Sequence, residues 1–157
     1  MSNLSQRRVL VLVGEAASSR AAVLWAAHWS LRTGDGLMLL HVLEPEQLMN
    51  FGAVHDMVRA EQWQTAERVL DELSAEAERV TGKRPLHLIR EGSLKRSVRS
   101  VLEEQPDLSL LVMAASHREA GPAPLTGYLA SRMGSRVPVP LVLVPDSLTG
   151  EKIATLT

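Results

Sequence analysis

The sequence predicts a single α/β domain built on a five-stranded, mostly parallel sheet with helices on both faces. Three observations carry this: short unbroken apolar runs such as Val9–Val13 and Leu108–Ala115, segments of helical period between them, and glycine or proline at nearly every changeover. Unbroken β-branched and leucine runs mark strands covered on both faces, as in parallel sheets. The chain has 157 residues, 45% hydrophobic and 22% charged, which suits one domain with a sizeable core. Residues 1–145 are assigned to that domain and 146–157 to a C-terminal tail.

The elements follow in order. Val9–Val13 is a central strand ending at Gly14, and Ser18 or Ser19 then caps a helix with Ala22, Trp25, Ala26 and Trp29 on one face, stopped by Gly34 and Gly36. Leu37–Leu43 is a second strand, closed by Glu44 and Pro45 and followed by a loop of about ten residues. From Met57 to Val80, Trp63, Ala66, Leu70, Leu73, Ala77 and Val80 recur at helical spacing among acidic residues, and Gly82 ends that helix. Pro85–Arg90 alternates apolar with polar, as a half-covered edge strand does. Ser93 caps a short helix bearing Leu94, Val98, Val101 and Leu102, which meets Pro106. Leu108–Ala115 is the fourth strand; a loop with Gly121, Pro122 and Pro124, a helix over Thr126–Arg136 and a last strand over Val139–Val144 complete the set.

Because the first and fourth strands are the most apolar and the third alternates, the order 3-2-1-4-5 is expected. That order reverses between the first and fourth strands. Ligands in such sheets bind where the order reverses, outside the carboxyl ends of the strands, here the loops at Gly14 and Ala115.

Composition excludes several classes. Seventeen basic residues balance eighteen acidic ones without a basic stripe, so nucleic acid is not an expected partner. No cysteine is present, which removes disulfides, thiolate zinc sites and cysteine nucleophiles. The apolar run near the start is too short for a signal-peptide core or a membrane span, so a cytoplasmic protein without membrane contact is expected. His28, His41, His55, His87 and His117 show no metal-ligand spacing, and His41 within a strand reads as a hydrogen-bonded core histidine. His117 lies in the candidate ligand loop. No serine sits in a nucleophile elbow, Glu103 and Glu104 fall on a solvated helix end, and Trp25, Trp29 and Trp63 read as core residues on helices facing the sheet.

Val11-Leu12-Val13-Gly14 with Ser19, Leu39-Leu40-His41-Val42 with Pro45, Glu91-Gly92, and Val137-Pro138-Val139-Pro140-Leu141-Val142-Leu143-Val144 fall in the order and spacing of the universal stress protein family. The chain resembles that family over residues 7–145. The resemblance implies that the nucleotide-binding branch would carry an aspartate where Gly14 stands, to contact adenosine. After the fourth strand that branch has glycine, two residues, glycine, nine residues, then glycine with Ser or Thr. Here the matching positions are Ala115, Ser116, His117, Arg118, eight residues, then Gly127 and Tyr128. Two glycines that would turn backbone N–H groups toward an anion are lost, and Pro122 and Pro124 supply no N–H at all. Gly127 at a helix start and Val42, at the family's adenine side, survive.

The reading is therefore a dimeric stress-response or regulatory module that acts through an unidentified protein partner, has no catalytic residues of its own, and does not bind ATP tightly. The resemblance implies a homodimer through Val137 to Val144, where Pro138 and Pro140 suit a sheet edge. One alternative is an ATP- and magnesium-binding member with a divergent loop lined by Gly14, Val42, Ser116, Arg118, Gly127 and Tyr128. A hydrolase or nucleotidyl transferase is a second alternative that lacks a visible nucleophile or adenylating loop.

Overall fold

A computed structural model describes residues 6–44, 53–115 and 137–157. Strands β1 (Arg8–Leu12), β2 (Gly36–Leu43), β3 (Leu86–Glu91), β4 (Leu108–Ala115) and β5 (Leu141–Pro145) form one sheet in the order β3-β2-β1-β4-β5, with every neighbouring pair parallel. Helices α1 (Ala16–Thr33), α2 (Ala53–Thr81), α3 (Leu94–Glu104) and α4 (Gly150–Leu156) accompany it. The predicted fold class and strand order are those observed.

Alternation along the strands divides the core. Val9 and Val11 of β1, Leu37 and Leu39 of β2 and Leu110 and Val112 of β4 face α1 and α2, together with Ala22, Val23, Ala26, Leu70 and Leu73. Leu10, Met38, Leu40, Leu111 and Met113 face α3, where Val98, Val101 and Leu102 cover them. The register shifts between Arg8 and Val9 against β4, leaving Ser109 opposite no β1 residue, and its one hydroxyl proton lies within reach of two acceptors, Asp35 Oδ2 at 2.9 Å and the Arg8 carbonyl at 3.2 Å.

Several expectations change. The helix α1 begins at Ala16 with Glu15 as N-cap, and Ser19 is used otherwise: its Oγ accepts the Gly14 N–H at 2.8 Å. Ser93 occupies the N-cap position of α3, but its hydroxyl makes no capping hydrogen bond. The fully covered residues of α1 are mostly small, Ala22, Ala26, Ala27 and Ser30 with Val23, where the helix packs on the sheet and beside α2, while Leu24 and Trp25 pack against the margin of the same core. Trp25 is half-buried and Trp29 exposed, stacked on each other with centroids 5.4 Å apart, and Trp63 of α2 is also half-buried. The last strand starts two residues later than predicted, and Pro138 and Pro140 precede it. Residues 146–157, expected as a tail, contain α4, capped by Thr149 and held to α1 by the fully buried Ile153. The expected helix over Thr126–Arg136 and the loop after Pro45 lie outside the described residues.

Candidate functional site at the carboxyl end of the sheet

The order reverses between β1 and β4, so their carboxyl ends open the crevice where a ligand would sit. Gly14 lies at this point, exposed. Its φ is not positive, and a Cβ placed on it would meet no heavy atom within 4 Å. Among the described residues nothing at the backbone excludes a side chain here, so the position lacks a carboxylate by residue choice. Ala115 is half-buried, opposite Pro145, and its carbonyl accepts the Asp146 N–H at 3.0 Å. Val42 is buried among Met38, Leu40 and Met113, so its side chain serves the core. Ser116, His117, Arg118, Gly127 and Tyr128 lie outside the described residues.

Two further sets of contacts lie toward the carboxyl ends of β2 and β3. His41 of β2 reaches across to β1, where Nδ1 lies 3.1 Å from the Val13 carbonyl, while the Val13 N–H donates to Leu40. As a neutral ring with its proton on Nδ1, His41 donates to that carbonyl and fixes the strand end preceding Gly14. Glu91, at the end of β3, accepts from Arg59 Nε at 2.6 Å, Arg59 Nη2 at 2.9 Å and Trp63 Nε1 at 2.6 Å. That fork ties the first turns of α2 to the sheet. Gly92 follows with φ 137°, a conformation that favours glycine, and its N–H closes on the Leu43 carbonyl at 2.9 Å.

A Ser-His-Asp alignment occurs away from the crevice. Ser74 Oγ is hydrogen-bonded to His87 Nε2, and His87 Nδ1 lies 4.0 Å from Asp71 Oδ1. Ser74 is fully buried in the middle of α2, where the helix ladder occupies the neighbouring N–H groups. Without an exposed Oγ or free donors for an oxyanion, this trio joins α2 to β3 and is not arranged for acyl transfer. No group of three or more histidine, aspartate or glutamate side chains suited to a metal ion occurs among the described residues.

Burial pushes the His41 pKa down, opposed by its bond to Val13; burial and the Arg84 guanidinium push His87 down, opposed by Asp71. Both folded values lie below the unfolded one, so as pH falls through about 6.5 the unfolded chain takes up protons first and stability declines. Urea midpoints should therefore be lower at pH 5.5 than at pH 7.5. A double variant His41→Gln, His87→Gln should flatten that dependence, and an unchanged slope would contradict the assignment.

The sequence profile of the Universal stress protein family matches residues 6–145. The chain belongs to that family. Solved universal stress proteins share its fold: UspA from Lactobacillus plantarum superposes with a TM-score of 0.71 at 16% identity, covering 90% of this chain and 99% of that one. A universal stress protein in complex with cAMP gives 0.61 at 15% identity, covering 90% and 98%. A family protein from Arabidopsis thaliana with AMP bound gives 0.56 at 14% identity, covering 88% and 91%. No curated protein sequence matches significantly. Among the described residues no helix is long and apolar enough to cross a membrane.

Proposed function

We propose that this universal stress protein is a cytoplasmic, homodimeric regulatory module that acts through a protein partner, carries no catalytic residues, and does not hold ATP tightly. The observation that carries the reading is Gly14. At the switch point, where nucleotide-binding relatives would place a carboxylate toward adenosine, this chain offers an open position with no side chain. Ala115 and Arg118, in place of two loop glycines, support it, because each restricts the backbone turns that aim N–H groups at phosphate.

Calorimetry with ATP and magnesium tests this. No heat is expected at about 1 mM ligand, whereas a dissociation constant in the low micromolar range would overturn the reading. Since Gly14→Asp introduces no strain, it should strengthen AMP binding by about tenfold through one charged hydrogen bond and leave ATP weak. The nucleotide complexes of the cAMP- and AMP-bound relatives favour a second reading, nucleotide binding through a divergent loop. A strong ATP isotherm in the unaltered protein would select it.

The dimer is proposed through Val137 to Val144. Among the described residues β5 pairs with β4 and has no second neighbour, Pro138 and Pro140 withhold N–H groups beside it, and Leu143 stays 42% exposed.

A further inference from the structure

The opposite edge of the sheet is built differently. Among the described residues β3 pairs with β2 and nothing pairs with its outer side. Beside it a groove of about 410 Å³ runs between β3 and α2, lined by Trp63, Glu67, Leu70 and Asp71 from the helix and His87 and Ile89 from the strand. The helical residues recur at i, i+4, i+7 and i+8, one stripe, and the strand residues are two apart, one face. The floor is apolar, from Trp63, Leu70 and Ile89, and the rim is acidic, from Glu67 and Asp71. Asp71 pairs with Arg84 at 2.7 Å, whereas Glu67 is exposed with no partner among the described residues. Leu86, at the start of β3, is 48% exposed.

We propose that this edge binds an extended partner segment as a sixth strand, with its backbone on β3 and, on its groove-facing side, apolar residues flanking a lysine or arginine. Backbone pairing gives affinity to such an added strand, and pockets for alternate side chains give its selectivity. The charge pattern chooses a basic partner over a second copy of this chain. The helix α2 carries seven carboxylates against three guanidiniums, so a two-fold axis through β3 would set two acidic helices side by side. The copy would also bring His87 and Ile89 to the groove and no lysine or arginine, because Arg90 lies on the other face, bound to Glu104 at 2.6 Å. A partner cation beside Trp63 and Glu67 satisfies both.

The test is amide NMR of the isotope-labelled full chain titrated with an acetylated, amidated heptapeptide, Thr-Val-Thr-Lys-Thr-Val-Thr. Shifts confined to β3 and the facing stripe of α2 are expected, with a dissociation constant of about 0.1 to 1 mM. Replacing the central lysine by glutamate should weaken binding about fivefold, and in Glu67→Lys, a surface change, the preference should reverse. Methylating alternate peptide nitrogens should abolish the shifts. No shifts at about 2 mM peptide, shifts away from β3, or an unchanged preference in Glu67→Lys would overturn the proposal. Concentration-dependent shifts at β3 without peptide would overturn it too, by assigning the edge to a second copy.

Discussion

Replacing Arg20 with methionine should destabilise the fold by about 2 kcal/mol, whereas Glu76→Met should cost under about 0.5 kcal/mol or stabilise it. The two residues pair across α1 and α2, yet their surroundings differ sharply. Glu76 is 8% exposed, and its Oε2 is buried with no hydrogen-bond partner among the described residues, while the Arg20 side chain is 61% exposed. Removing Arg20 leaves a buried carboxylate without its counter-charge, a loss of about 3 to 5 kcal/mol where both ends are sealed. Here one end opens to water, which reduces the cost. Removing Glu76 relieves the desolvated, half-satisfied carboxylate and returns Arg20 to solvent, where a lone guanidinium is well hydrated. Urea denaturation of both single variants checks the ranking, and equal losses would refute it.

Leu143→Glu is expected to convert the proposed dimer to a monomer at micromolar concentration, read as a halved mass in light scattering with an unchanged far-ultraviolet spectrum. Leu143 is exposed on the edge strand β5, so the single chain tolerates a carboxylate there. Across a two-fold axis the substitution sets two like charges near a desolvated strand pair. A penalty of about 3 kcal/mol corresponds to a dissociation constant roughly 100-fold weaker. A dimer that persists through this change would move the interface away from Val137 to Val144. A monomer in the unaltered protein would remove the interface altogether.

The candidate site was legible in the sequence only in part. Gly14 and Ala115 could be placed at the switch point because strand ends and glycine positions are one-dimensional signals. Val42 was placed there by resemblance, and the structure puts its side chain in the core, since a strand's alternation sends it to the α3 face. The groove along β3 leaves a signal in the sequence, the stripe Trp63, Glu67, Leu70 and Asp71 facing the alternation His87 and Ile89. Helical and strand periods report which residues share a face, but not which helix face flanks which strand.

By itself the sequence determined the fold class and the strand order, with its reversal between β1 and β4, because burial on both faces, edge position and chain reversal each leave a local pattern in residue type. Tertiary structure alone decided the contacts between distant segments: His41 on Val13, Ser74 with His87, Arg20 with Glu76, the fork from Arg59 and Trp63 to Glu91, and the docking of α4 through Ile153. It also set the tryptophans at the margin of the core rather than inside it, Trp25 packed against its edge and Trp29 exposed and stacked on Trp25. Periodicity reports which face of an element is covered, while the distance at which the cover sits, and the side chains it brings, depend on the packing of the whole.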